Sequence, residues 1–440
     1  MAYDTDLAAK TVSAPDAADS LDDASTLVLG MGVAMPPAFM AALAERARER
    51  RGLSRLNLYY MHASRAATET ILKPELMDVL KLNVLFMSGH DRAFAEEGLK
   101  RGEVWVHFVP SMFHQVGRLL TEQIRPDTFV TTVSPMDRSG HFSLGTNPDY
   151  AAELVRKARR VIVEVNRNMP RTFGENLLHI SQVDAVIEHD APLMELPSHA
   201  PGPEDLLIGK SIAALIPNEA TLQMGVGGVP EAVLAELRGH KRLGLHSELL
   251  SPPMIELMRR GVLTGEAKTI MRYKHVFTLA LGDADMYDFM DDNPSIVGYP
   301  ATWVNNPAVI RKNRHMISVN AALQVDLTGQ VNSEALNGHQ FSGTGGQLDF
   351  VRGAYLAPHG KSFIALHSTA KGGSVSRIVP QLANTTVTDP RVDTQFIVTE
   401  FGMADMKGRS LSERARSLIA IAHPDFRDSL AAEAKEIGLM

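Results

Sequence analysis

Short apolar runs alternate along this chain with longer stretches whose apolar positions recur at helical spacing, the pattern of strands feeding helices. Thr26-Leu-Val-Leu reads as a buried strand that enters the turn Gly30-Met-Gly-Val-Ala-Met-Pro-Pro, and the amphipathic stretch Ala38 to Arg51 reads as the helix that follows. Further strands are expected at Leu56–Met61, Asn83–Met87, Val104–Val109, Thr128–Val133 and Val161–Val165. The second half repeats the pattern. A helix at Asp205–Leu215 precedes a strand at Thr221–Met224, a glycine turn and a helix opened by Pro230 at its first position, and later strands are expected at Thr269–Met271, Met316–Val319, Ser362–Leu366 and Phe396–Thr399. Such alternation predicts the α/β class: open, mainly parallel sheets covered by helices, with ligands beyond the carboxyl ends of the strands.

Periodicity fails between Asp190 and Glu204, where Ala-Pro-Leu-Met-Glu-Leu-Pro-Ser-His-Ala-Pro-Gly-Pro-Glu is dense in proline and reads as a linker. Since 440 residues exceed what one core usually supports, the expected organisation is an arm or first helix over 1–24, an α/β domain over 25–190, the linker over 191–204 and a second α/β domain over 205–440. The shared strand, glycine turn, proline and helix at Gly30 and Gly225 suggests that the two domains are similar, with the active site in the cleft between them.

Composition narrows the chemistry. Net charge is −7, and Lys and Arg are scattered outside the run Arg46 to Arg51, which reads as a solvated helix face, so nucleic acid is not an expected partner. With no cysteine there is no disulfide, thiolate metal site or cysteine nucleophile. Apolar runs fall short of the ~20 residues that span a bilayer, and the start Met1-Ala-Tyr-Asp-Thr-Asp lacks the features of a signal peptide, so no membrane association is expected and the cytoplasm is the expected compartment.

Three segments carry candidate chemistry. Gly225-Val-Gly-Gly-Val-Pro opens a helix without forming a dinucleotide fingerprint, and its backbone either contacts a phosphate or oxyanion or simply makes a tight turn. His246-Ser247-Glu248 follows an apolar stretch and precedes Ser251-Pro252-Pro253; at a strand end Glu248 is a base, a nucleophile or a surface carboxylate, and His246 a base or a structural hydrogen-bonding residue. Gly343-Thr-Gly-Gly-Gln-Leu-Asp-Phe is a loop whose backbone approaches something closely, or a plain turn. Lys371, in Ser368-Thr-Ala-Lys-Gly-Gly, meets a phosphate or solvent. No Gly-x-Ser-x-Gly elbow or His-Glu-x-x-His motif is present, and no metal site is expected.

Together with Val133-Ser-Pro-Met-Asp-Arg-Ser-Gly-His-Phe-Ser-Leu-Gly, Asn166-Arg-Asn-Met-Pro-Arg-Thr, Val325-Asp-Leu-Thr-Gly-Gln-Val-Asn-Ser-Glu and Ile421-Ala-His-Pro-Asp-Phe-Arg, these motifs make most of the chain resemble the acetyl-CoA hydrolase/transferase family, class I CoA-transferases that include 4-hydroxybutyrate, acetate and butyrate enzymes. The resemblance implies a CoA-transferase in which Glu248 attacks an acyl-CoA, with acyl-glutamyl anhydride and glutamyl-CoA thioester intermediates in ping-pong order. It assigns oxyanion donation to the N–H groups of Val226 and Gly346, and CoA binding to Gly225, Val226, Gly227, Gly228, Val229, Ser342, Gly346 and Lys371. It further implies a homodimer with no permanently bound cofactor, coenzyme A and acyl-CoA being substrates alongside a short carboxylic acid. Acetate, butyrate, 4-hydroxybutyrate, succinate and itaconate all fit. An acyl-CoA hydrolase and a citrate-lyase-like CoA-binding subunit are the alternatives. Many relatives carry Asp-Gly just after the nucleophile where this chain has Ser251-Pro252-Pro253, which places the difference at the acid pocket. The turn at Gly30 resembles the family's first βα turn, with Met31, Met35 and His114 as lining or core residues.

Overall fold

The structure, a computed structural model, describes residues 3–196 and 200–440. Two compact units emerge, one of Met1–Pro197 with Phe277–Trp303 and one of Ser198–Val276 with Val304–Met440. Against the expected division, Phe277–Trp303 falls in the first unit although it lies far beyond the linker. The reason is local pairing: Val297 and Gly298 pair with Phe173 and Gly174, and the Asp149 and Ala301 backbones bond Thr278 and Asp149 respectively.

In the first unit seven strands form one sheet: β1 Thr26–Leu29, β2 Leu56–Tyr60, β3 Leu80–Val84, β4 Val106–Phe108, β5 Thr128–Val133, β6 Arg160–Val165 and β7 Ala185–Glu188. Their order is β7-β6-β5-β1-β2-β3-β4, and every neighbouring pair is parallel. Chain order reverses at β1, which makes the carboxyl ends of β1 and β5 the topological switch point where ligands enter such sheets. Leu27, Leu29, Leu58, Leu82, Val130 and Ile162 contribute to its core. The expected strand at Asn83–Met87 begins three residues earlier, and Phe86 instead accepts from His62 N–H in the loop beyond the sheet. Ala185–Glu188 is an additional strand, too short and polar at its end to stand out by pattern. The first 24 residues hold two short helices, Asp4–Lys10 and Ala14–Asp19, and the second buries Ala17 and Ala18.

The second unit holds β8 Thr221–Met224, β9 Gly244–Leu245, β10 Met316–Ala321, β11 Lys361–Ala365, β12 Phe396–Thr399 and β13 Gly402–Asp405, in the order β9-β8-β10-β11-β12-β13. Only the last pair is antiparallel. Order reverses at β8, so its carboxyl end is this sheet's switch point. Thr269–Met271 is not a strand: Met271 and Tyr273 take left-handed φ values of 52° and 61°, and the chain turns there. The linker expectation is shortened, because a helix already begins at Pro203, while Pro197–His199 lie outside the described residues. Pro230 is the third residue of the helix Gly228–Glu236, not the first; its missing N–H is still one of those a helix start leaves without an internal partner. No helix among the described residues is long and apolar enough to cross a membrane.

The helices Pro203–Ala213 and Gly228–Glu236 approach each other at Gly209, where an added Cβ would lie 2.6 Å from Ala232 Cβ and 2.9 Å from its carbonyl carbon. Backbone cannot yield as a side-chain tip can. Gly209→Val is therefore expected to destabilise the protein by about 1–3 kcal/mol, measured by urea denaturation; an unchanged midpoint would show that this contact tolerates bulk.

Candidate active site

Glu248 owes its place to a very short strand. Thr221 pairs with Gly244 and Leu222 with Leu245 in parallel, so extending the register brings Glu248 level with Gly225 at the carboxyl edge of the second sheet. Ser247 N–H bonds Val276 O at 3.0 Å, and then the prolines Pro252 and Pro253 open the helix Pro252–Arg259, in positions where a missing N–H costs nothing. The chain has thus left the sheet by Glu248, whose side chain is half-buried just beyond the strand end.

Three groups surround the carboxylate. Asn305 Nδ2 donates to Glu248 Oε2 at 2.5 Å, and the Gly346 N–H also bonds the carboxylate. Gly346 caps the helix Gln347–Leu356, so the carboxylate faces the positive end of a helix dipole. A Cβ on Gly346 would lie 1.9 Å from both Asn305 Nδ2 and Glu248 Oε2. Its φ of −104° is open to any residue, so close approach, not backbone freedom, requires glycine here. The third group is Asp349, fully buried in the first turn of the same helix. Burial pushes the Glu248 carboxyl up to about 7, the Asp349 charge adds to the rise, and the Asn305 and Gly346 hydrogen bonds oppose it.

The first glycine loop lies one strand away. Gly225 N–H bonds Val319 O at 2.9 Å, inside the sheet. Val226 is 57 % exposed, Gly227 has φ 117°, a conformation that only glycine takes readily, and Gly228 has Asp205 against its backbone. Val229 is buried. Ser342 is tied back by its Oγ to Ser333 O at 3.2 Å. Lys371 stands two strands from β8, in the turn between Thr369–Ala370 and Val375–Ser376 that follows β11. The structure therefore joins Glu248 and Gly346 directly, sets Gly225–Val229 on the same sheet edge, and places Ser342 and Lys371 on separate segments after β10 and β11.

His246 resolves toward its structural alternative. Its Nε2 donates to Val304 O at 2.8 Å, and burial, helped by nearby Lys268, pushes its pKa down to about 3. A ring held neutral and bonded to the residue before Asn305 positions that segment. Lys268 is itself buried, its Nζ donating to Leu245 O at 2.7 Å and Lys274 O at 2.8 Å. Asn305 and Asp349 were not singled out from sequence. Asn305 precedes Asn306, which caps the next helix through its side chain, and nothing in the pair Asn-Asn-Pro marks the first residue; a carboxylate between Leu348 and Phe350 was the available signal for Asp349.

In the first unit a cavity of about 620 Å³ opens at the switch point, lined among others by Gly32, Met35, Thr132 and Asn166. Met35 lines it, Met31 is buried and His114 lies on the helix Phe113–Arg118. Among the described residues no group of His, Asp and Glu is arranged to hold a metal ion.

Residues 1–195 match the acetyl-CoA hydrolase/transferase N-terminal domain, and 282–434 match the C-terminal domain. The chain belongs to the acetyl-CoA hydrolase/transferase family. Within it the chain is 39% identical to 4-hydroxybutyrate coenzyme A transferase of Clostridium kluyveri, over 97% of each protein, and 40% identical to succinyl-CoA:cyclohexane-1-carboxylate CoA transferase of Geobacter metallireducens, over 99% of this chain and 97% of that one. The crystal structure of RipA from Yersinia pestis superposes with a TM-score of 0.97 at 46% identity, covering 100% of both chains. Glu248 and the Gly225 loop fall between the two matched family segments, whereas Gly346 and Lys371 fall within the second.

A carboxyl raised to about 7 when folded, against about 4.3 when exposed, is tolerated in its neutral form and costs stability progressively as pH rises from the lower value to the higher. Glu248→Gln is thus expected to match the parent protein near pH 4 and exceed it by about 1–3 kcal/mol at pH 8. Urea denaturation at the two pH values checks this, and a pH-independent difference would contradict the burial of the charge.

Proposed function

We propose that the protein is a CoA-transferase that moves coenzyme A from an acyl-CoA to a short carboxylic acid, with Glu248 as the nucleophile. The observation that carries the reading is the Glu248 carboxylate gripped by Asn305 and by the Gly346 N–H at a helix start. A surface carboxylate needs neither contact. The reading is supported by the CoA-transferase names of relatives that align over nearly the whole chain.

In this scheme ionised Glu248 attacks the thioester carbonyl, the C–S bond breaks, and CoA thiolate leaves an acyl-glutamyl anhydride. The thiolate then attacks the glutamyl carbonyl and expels the first acid as carboxylate, which gives glutamyl-CoA. A second carboxylate reverses both steps. No net proton is transferred and the thioester's energy is kept in covalent bonds, so the cycle requires no nucleotide hydrolysis.

The contacts of Glu248 suggest how the oxyanions divide. When thiolate attacks the glutamyl carbonyl, negative charge builds on a Glu248 oxygen, the atom type that Asn305 Nδ2 and Gly346 N–H already hold. Those two donors serve the glutamyl oxyanion, while the Val226 N–H serves the oxyanion of the substrate acyl group. Gly225–Val229, Ser342 and Lys371 form the CoA-binding set, Lys371 meeting a phosphate. The cytoplasm and a homodimer complete the proposal. The acceptor acid stays at the level of class, since Ser251, Pro252 and Pro253 occupy the start of a helix beside Glu248 and alter the surroundings of the expected acid pocket.

Incubation with an acyl-CoA followed by mass analysis is expected to find the adduct on Glu248, and Glu248→Ala to lose transfer by on the order of 10⁴-fold or more. Full transfer in that variant would exclude the mechanism. Comparing thiol release with and without an acceptor acid separates transfer from hydrolysis. Because the attacking form is the carboxylate, kcat/KM for acyl-CoA should rise with pH through about 7, and Asp349→Asn, by removing a repelling charge, should move that rise to lower pH. A shift in the opposite direction would refute the electrostatic account.

A further inference from the structure

Gly346 can hold Glu248 only if the start of its helix is held in turn. The next residue, Gln347, is the first of the helix, and its partly buried side chain reaches into a layer of polar groups. Both Nε2 hydrogens are used: one to Ser333 Oγ at 2.8 Å, the other to Asp389 Oδ2 at 2.6 Å. Ser333 is anchored to the central strand, its Oγ donating to Ala321 O at 3.2 Å. On the other side of the loop Thr344 Oγ1 donates to Glu334 Oε2 at 3.3 Å, and Glu334 Oε1 accepts from Thr388 Oγ1 at 3.0 Å. The glycine loop thus has a side-chain tether on each flank, both ending on the segments 331–334 and 388–389.

Asp389 is the unusual member. It is fully buried, its Oδ2 bonds Gln347, and its Oδ1 has no hydrogen-bond partner among the described residues. An unsatisfied buried oxygen is costly and calls for a reason. Asp393, Glu334 and Arg352 are the charged groups around it, and Arg352 pairs with Asp393 at 3.0 Å. The one side-chain donor it receives comes from the residue after the glycine that touches Glu248.

We infer that Gln347 and Asp389 form a positioning pair, whose hydrogen bond fixes the first turn of the helix Gln347–Leu356 and so aims the Gly346 N–H at the Glu248 carboxylate. The inference rests on the proposed role of Glu248 for its kinetic consequence but not for its geometry. The Gln347 side chain bonds Ser333 and Asp389, whereas the Glu248 carboxylate is held by Asn305 and Gly346. Releasing it lets the Gly346 N–H swing from the carboxylate, which weakens a contact that favours the ionised form and a donor that the glutamyl oxyanion uses.

The test measures the Glu248 carboxyl directly, by infrared titration of protein carrying ¹³C-labelled glutamate, with the matching Glu248→Gln protein subtracted to isolate its signal. Gln347→Leu is expected to raise the titration midpoint by about half a pH unit or more, and to lower kcat by about 10- to 100-fold with KM for acyl-CoA within about two-fold. Asp389→Asn keeps an acceptor for Gln347 and should stay near the parent in both readouts. Asp389→Leu should reproduce Gln347→Leu, and the double variant should be no worse than either single one. An unchanged midpoint in Gln347→Leu, or additive losses in the double variant, would overturn the inference. If acyl-CoA never labels Glu248 in the parent protein, the covalent reading fails, and the titration alone still decides whether the pair aims Gly346.

Discussion

A carboxylate that must attack a carbonyl has to be ionised, yet also sheltered from water that would destroy its acyl derivatives. Those demands conflict, because burial favours the neutral acid. For Glu248, the proposed nucleophile, two donors, the Asn305 amide and the Gly346 N–H at a helix start, act against burial and the buried Asp349 charge. The net result is a carboxyl pushed up to about 7, because burial and the Asp349 charge outweigh the two hydrogen bonds. Much of the second unit can be understood as the scaffold that keeps those donors in register.

Parallel strand pairing supplies the coarse alignment. It brings the Gly225 loop, Glu248 and the end of β10 to one edge, since parallel strands present all their carboxyl ends together. Finer alignment needs side chains. His246 holds the backbone at Val304, which carries Asn305, while Gln347, Thr344 and their carboxylate partners hold the glycine loop. Backbone pairing brings the groups within reach, and hydrogen bonds between side chains and loops set the last ångströms.

The elements legible in the sequence were those whose signal is local. Strands such as Thr128–Val133, Thr221–Met224 and Phe396–Thr399 appear within the bounds that their apolar runs indicate. Where apolar residues serve a loop, as at Leu85–Met87, the pattern extended the strand too far, and at Thr269–Met271 three residues of the right type turned out to be a turn. The glycines were conspicuous as loops, but the reason for Gly346 was not, since it depends on a carboxylate about a hundred residues earlier. Asn305 was hidden for the same reason: a hydrogen bond across 57 positions leaves no mark on its neighbours.

Phe277–Trp303 gives this separation a temporal meaning. The chain passes from one unit to the other after Pro197, returns after Val276 and crosses again after Trp303, so Glu248 and Asn305 lie on opposite sides of the excursion. During synthesis Glu248 is made well before the amide that binds it, and the Gly346 donor emerges later still. The polypeptide therefore carries an unassembled, harmless carboxylate until its C-terminal half has been made. A protein split at the proline-rich linker would separate the first unit from its own late segment, so these two units are not modules that can be exchanged by a single cut.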